Sequence, residues 1–272
     1  MNSDTPPERK SDLPIRTVAA IAMVTVAIAA LWFGGLVFWV LCAMLGLLMI
    51  GEWADLDNAP APQRRLARFA LVVPLATMAP PPFAWGPGFF SLGLIGAAFF
   101  FIVIITRRPT LAAGAAYAGL PILALLLIRR QHEGMVFTLW ALALVWACDI
   151  GAYFAGRAIG GPKLAPGISP NKTWAGLIGG VFVASLFGAA MHIEYGLPWR
   201  LTLATPFLAV LAQGGDLFES WLKRRAGVKD SGTILPGHGG LLDRLDGLVP
   251  VAPVAALLVV LPSLVTLPKI LP

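Results

Sequence analysis

The sequence predicts an all-α, polytopic integral membrane protein with about nine transmembrane helices and a cytoplasmic N-terminus, on three observations. Of 272 residues, 58% are hydrophobic and only 12% are charged, whereas a soluble domain carries roughly 25% charged residues. The apolar residues gather into runs close to the ~20 that a membrane-spanning helix needs. The basic residues fall unevenly across the breaks between those runs. High hydrophobicity excludes a disordered chain, and the runs lack the alternation of barrel strands. Cys42 and Cys148, both inside apolar runs, are too few for a disulfide framework.

The candidate spans follow in order. Thr17 to Phe33 and Leu36 to Ile50 are separated by the hinge Gly34-Gly35. Leu66 to Ala79 is short and interrupted by Pro74. Phe89 to Ile105, Leu111 to Ile128 and Met135 to Phe154 are bounded by the pairs Arg107-Arg108 and Arg129-Arg130. Trp174 to Met191, Leu201 to Leu222 and Leu248 to Leu267 complete the set. The first apolar stretch continues through Ile50, too far for the core of a removable signal peptide. Residues 1–14 are expected to form a disordered cytoplasmic tail and 15–130 the N-terminal transmembrane helices. Residues 131–272 are expected to form a C-terminal catalytic transmembrane region, with cytoplasmic loops at 155–173 and 223–247. An inside N-terminus and nine spans leave only Arg129, Arg130, Arg200 and Lys269 of the 20 Lys and Arg outside, the bias of the positive-inside rule. The Arg129-Arg130 pair disagrees locally.

The few charges concentrate in GGDLFESWLKRRAGVKDSGTILPGHGGLLDRLDG, from Gly214 to Gly247. Carboxylates near hydrocarbon cost about 2.5–3.5 kcal/mol, so they need a wet cavity, a metal or a counter-charge. Asp216 lies three residues from Glu219 and four from Ser220, on one helical face. Asp243 and Asp246, three apart, share a second face. Two such faces favour a hard cation such as Mg²⁺ held through oxygen ligands. Lys223, Arg224 and Lys229 lie just beyond, where phosphates would be held. The glycine-dense turn Pro236-Gly237-His238-Gly239-Gly240 can bring backbone N–H groups close to an anion, and His238 can bond a phosphate or carry a proton. Acid, base and glycine together fit phosphoryl or nucleotidyl chemistry. H-E-x-x-H, GxSxG and P-loop motifs are absent.

A second constellation precedes this one. Asp149, Tyr153 and Arg157 recur every four residues on one face at a span's end. A basic, Pro/Gly-rich loop from Gly160 to Thr173 follows, suited to anion binding, with Ser169 or Thr173 available to cap the next helix. Plainer roles stand beside these. Asp149 can serve as an interhelical hydrogen-bonding group, Glu219 can pair with Lys223 at i,i+4, and Asp230 can hold its loop. Arg108 and Arg225 read as positive-inside anchors, Tyr153 as an interface aromatic, and His132 and His192 as surface residues.

The segment Ser220 to Asp246 reads S-x-L-K-R-x-x-x-x-K-D-x-G-x-x-L-P-x-H-G-G-L-x-D-R-L-D and resembles the signature of the phosphatidate cytidylyltransferase (CDP-diacylglycerol synthase) family. Gly215-Asp216-Leu217-Phe218-Glu219, Asp149…Tyr153-Phe154…Gly156-Arg157 and Ile168-Ser169-Pro170-Asn171-Lys172-Thr173 resemble it too. Ala175 stands where many members have Glu or Gln, and Gly247 where Ser is frequent. The resemblance implies Mg²⁺-dependent transfer of CMP from CTP to phosphatidic acid, giving CDP-diacylglycerol and pyrophosphate. It implies metal binding by Asp216, Asp243 and Asp246. Lys223, Arg224, Lys229 and Arg244 would clamp phosphates, with Asp230 and His238 in the same catalytic set. Asp149, Tyr153, Arg157, Ser169, Asn171, Lys172, Thr173, Ser220, Gly239 and Gly240 would bind substrate. The expected partners are CTP, phosphatidic acid and the bilayer, with no nucleic acid and with room for a homodimer. The expected location is the cell membrane, a bacterial inner membrane, with the active site on the cytoplasmic side. An ion-coupled transporter and a CTP-dependent lipid kinase are the alternatives; the kinase would release CDP instead of pyrophosphate.

Overall fold

A computed structural model describes residues 13–232 and 239–265, with side chains from 21 to 232 and from 239 to 262. His238, part of the expected catalytic set, lies outside the described residues, as does most of the expected tail. Ten helices follow in order: α1 (Leu13–Phe33), α2 (Gly35–Leu56), α3 (Ala61–Thr77), α4 (Phe89–Thr106), α5 (Pro109–Arg129), α6 (Gly134–Ile159), α7 (Trp174–Tyr195), α8 (Trp199–Arg225), the four-residue α9 (Leu242–Leu245) and α10 (Leu248–Val265). The 155–173 loop adds a hairpin not expected of an all-α chain, β1 (Lys163–Ala165) and β2 (Ser169–Thr173), antiparallel with Lys163 opposite Thr173.

Among the described residues six helices are long and apolar enough to cross a membrane: α2, α4, α5, α6, α7 and α8. Shorter apolar helices run over Ile21–Phe33 and Leu248–Pro262. The architecture is thus helical and polytopic. Helix α3 begins earlier than its apolar run because prolines are tolerated in a first turn, where their missing N–H has no intrahelical partner. That start adds Arg64 and Arg65 to Arg68 in the helix, and with three arginines in 17 residues α3 is not among the apolar six. Helices α1 and α2 break at Gly34, whose φ of 60° a residue with a side chain rarely adopts.

Helix α5 is the most enclosed of the six and packs against α2, α3, α4, α6 and α10. Its own Leu111 and Ile122 are fully buried, as are Met49 and Ile50 of α2, Leu71 of α3, Ile102 of α4 and Trp140 of α6. The closest helix pair is α6 with α7, and its seam is nearly bare backbone. Gly176, Gly180, Ala184 and Gly188 recur every four residues on the buried face of α7. A Cβ added at Gly179 would stand 2.2 Å from Ala155 Cβ, and one at Gly180 would stand 2.7 Å from the Cys148 carbonyl oxygen. Small residues let helices approach this closely in lipid, where packing replaces hydrophobic drive. The outward faces remain apolar: Trp32, Phe69, Phe89, Phe154, Ile178 and Phe207 are all exposed.

The two ends of the bundle differ. At one, the Arg129-Arg130 pair that broke the charge pattern has a structural task. Arg129 Nη2 donates to the Leu31 carbonyl at 3.1 Å and Arg130 Nη1 to that of Pro87 at 3.3 Å, satisfying backbone acceptors beside the α1 C-terminus and the α4 N-terminus. At the other end lie the C-termini of α2, α6 and α8, the hairpin and α9, with nearly all the remaining acids.

Gly179→Leu should force α6 and α7 apart and destabilise the fold by about 1–3 kcal/mol or more. Gly96→Ala, where nothing lies within 4 Å, should be neutral. Thermal unfolding in detergent checks both.

Candidate active site

Near hydrocarbon, a carboxylate is understood through its partners. At this end of the bundle Asp55 pairs with Arg64 and Asp57 with Arg108, and most of the other acids fall into two adjoining groups. In the first, Gln213 of α8 links three elements. Its amide nitrogen donates to Asp149 Oδ1 of α6 at 3.2 Å, and its carbonyl oxygen accepts from Lys172 Nζ of β2 at 3.2 Å. Lys172 also forms an ion pair with Asp216, one turn further along α8, and Ser220 Oγ reaches Asp216 Oδ1 at 3.4 Å. Asp246, at the corner between α9 and α10, completes the group. Gly215 makes the approach possible, since a Cβ there would lie 2.3 Å from the Asp246 carbonyl oxygen. Burial, and then the negative charges of Asp216 and Asp149, push the Asp246 carboxyl up to about 7. The Gly247 N–H, donating at 2.8 Å, and Lys172 act against that rise.

The second group organises the signature loop. Asp243 Oδ1 accepts from Lys223 Nζ at 2.5 Å. Its Oδ2 accepts from the Ser231 N–H at 3.0 Å, the Ser231 hydroxyl at 3.1 Å and the Gly240 N–H at 2.9 Å. Burial alone would raise this carboxyl, but Lys223 and the two backbone donors outweigh it and hold it below the usual carboxylate range. Beneath the loop sits Glu52 of α2, 2% exposed. Glu52 accepts from the N–H groups of Leu241 and Leu242, both at 2.8 Å, and its Oε2 lies 3.1 Å from the Ser231 Oγ, whose single proton it shares with Asp243 Oδ2. Gly232 and Gly240 leave room for it: a Cβ at either would fall within 3 Å of a Glu52 oxygen. Fully buried Glu219 pairs with Lys223 at 2.8 Å, so this lysine bridges α8 and α9.

The expected site residues divide accordingly. Asp149, Lys172, Asp216, Ser220 and Asp246 come together in the first group. Lys223, Asp243, Gly239 and Gly240 belong to the second, where Lys223 is committed to two carboxylates and the glycines to loop geometry: Gly239 has φ 82° and Gly240 abuts Ser231. Thr173 is the α7 cap, its Oγ1 accepting from the Gly176 N–H at 3.0 Å. Arg157 donates to the Tyr153 hydroxyl at 2.7 Å, apart from the acids. Arg224 donates to the Val228 carbonyl. Asn171, Lys229, Asp230 and Arg244 are exposed and Ser169 is half-buried. Sequence reasoning missed Glu52 and Gln213. Each is an isolated polar residue in an otherwise apolar run, and that isolation was the available signal.

Among the described residues no three His, Cys, Asp or Glu side chains stand together as a preformed metal cage. The first group nevertheless suits a hard divalent cation, since its donors are carboxylate oxygens, and burial together with the charges of Asp216 and Asp149 already raises Asp246. Lys172, ion-paired with Asp216, supplies positive charge there.

Glu52→Ala would leave buried N–H groups without an acceptor, at a cost of about 1–3 kcal/mol each. Hydrogen exchange should show the Leu241 and Leu242 amides losing protection in that variant, and losing less of it in Glu52→Gln.

The chain matches the cytidylyltransferase family over residues 14–261. It is 39% identical over 252 residues to the phosphatidate cytidylyltransferase of Brucella suis biovar 1, covering 89% of this chain and 91% of that protein. It is 33% identical over 265 residues to the protein of that name from Staphylococcus epidermidis, covering 91% and 99%. The Staphylococcus aureus counterpart is 34% identical over 263 residues, again covering 91% and 99%. Both acid groups, and the α2 carboxylate that joins them to the N-terminal half, fall within the matched span, and the chain belongs to the cytidylyltransferase family.

Proposed function

We propose that this protein transfers CMP from CTP to phosphatidic acid, giving CDP-diacylglycerol and pyrophosphate. One observation carries the reading: Asp149, Asp216 and Asp246 arrive from three different elements at one end of a lipid-facing bundle, with Lys172 among them. The names of the relatives support the same substrates. In the reaction, a phosphate oxygen of phosphatidic acid bonds to the α-phosphorus of CTP. The bond from that phosphorus to the β-bridging oxygen breaks, and pyrophosphate leaves with the electron pair. The nucleophile is already an anion, so no residue has to deprotonate it.

The chain's part is therefore positioning and charge. Asp216 and Asp246 would hold Mg²⁺, with Asp243 joining them in exchange for Lys223. Bound there, the ion would neutralise phosphate charge. Lys172 and Lys223, now paired with carboxylates, would turn to the substrate phosphates, and Arg224, Lys229, Arg244 and His238 would serve as further phosphate contacts. The Glu52-held loop keeps these groups in register. We place the acid-rich end at the cytoplasmic face, where CTP is available and where the 155–173 and 223–247 loops carry their lysines and arginines. The N-terminus then lies inside, with α1, α3 and α10 adding to the six apolar crossings. Bacterial relatives support a location in the bacterial cell membrane.

Purified protein supplied with labelled CTP, Mg²⁺ and phosphatidic acid should release pyrophosphate as CDP-diacylglycerol forms. Release of CDP would identify a lipid kinase, and absence of product with CTP bound would remove the enzymatic reading. Asp216→Asn and Asp246→Asn should each lower kcat on the order of 10²-fold. Chelation of divalent ions should abolish turnover, and added Mg²⁺ should restore it.

A further inference from the structure

On α8, Asp216, Glu219, Ser220 and Lys223 share one face, while Phe218, Trp221, Leu222 and Arg225 lie on the other. The second face borders a cavity of about 440 Å³ between the α2 C-terminus, the α5 N-terminus and α8. Trp53, Phe218 and Trp221 form aromatic walls, and Arg108 and Arg225 supply the charge. The cavity belongs to neither acid group described above.

Its electrostatics are unequal. Arg108 is neutralised by Asp57 Oδ2 at 3.0 Å and further anchored by the Asn58 carbonyl. Arg225 has no carboxylate partner among the described residues; its guanidinium lies over the Trp221 ring, 5.6 Å from the centroid. The pocket therefore carries one uncompensated positive charge against an apolar, aromatic surface, at the acid-rich end of the bundle. The Trp53 ring nitrogen is already engaged, donating to the Thr110 carbonyl at 2.9 Å, so its ring offers the pocket no free polar donor.

We propose that this pocket binds the headgroup of a non-substrate anionic glycerophospholipid, one whose phosphate is a diester. A phosphodiester carries a single negative charge and matches Arg225, whereas a phosphomonoester carries about −1.5 to −2. The aromatic side chains receive the glycerol backbone and the first methylenes, as amphipathic rings do at the membrane–water boundary. The lipid comes from the surrounding leaflet, and its site lies across α8 from the one where phosphatidic acid reacts.

The test is native mass spectrometry of the full-length protein released from micelles containing dioleoylphosphatidylglycerol, dioleoylphosphatidylcholine or dioleoylphosphatidic acid. One phosphatidylglycerol should be retained in preference to phosphatidylcholine. Arg225→Gln should weaken that retention about fivefold, and Arg225→Lys should restore most of it. Cytidylyl transfer by Arg225→Gln in neutral micelles should match wild type, which separates this site from the catalytic one. Equal retention of the neutral lipid, or retention unchanged in Arg225→Gln, overturns the proposal. Displacement of phosphatidylglycerol by an equal amount of phosphatidic acid also overturns it, because the pocket would then be a substrate site.

Discussion

Every carboxylate placed where a helix leaves the hydrocarbon must be answered by a donor or a cation, and this one constraint organises the acid-rich end. Answering Asp149, Asp216 and Asp246 brings together α6, α8, β2 and the α9–α10 corner. Answering Asp243 and Glu219 fixes Lys223, and answering Glu52 shapes the signature loop. The helices themselves supply little polar content, so the geometry of the site follows from pairing rather than from a preformed cavity. The glycines serve the same end: at 215, 232 and 240 they remove the atoms that would keep charge and donor apart.

Much of this was legible in the sequence, for physical reasons. In a chain with so little charge, an acid near an apolar run stands out, so Asp216, Asp243 and Asp246 could be singled out from cost alone. Helical spacing correctly grouped Asp216 with Ser220 and Glu219 with Lys223, since each pair lies one turn apart. Thr173 was readable as a cap because capping is local. The hinge at Gly34-Gly35 was readable for the same reason.

What escaped was long-range. Nothing near Glu52 announces that its partners are Ser231, Leu241 and Leu242. The Gln213 amide joins Asp149 to Lys172 only because α6, α8 and the hairpin strand β2 converge. The tie between α2 and the loop also crosses the boundary expected at residue 130, so the N-terminal half contributes to the site. Spacing placed Asp243 beside Asp246 on one face, yet Lys223, Ser231 and Gly240 engage both of its oxygens. Helical periodicity gives a direction along a surface; it does not say which neighbour arrives there first.

The Glu52 tie also has a consequence in time. Its hydroxyl donor, Ser231, lies 179 residues further along the chain. At a synthesis rate of about 5–20 residues per second, α2 waits on the order of ten to forty seconds for its partner to be made. Throughout that interval a carboxylate destined for complete burial has only water and headgroups to bond. The nascent N-terminal half must therefore stay open at that edge and close only when the last third of the chain arrives, so the site is among the last parts of the molecule to assemble.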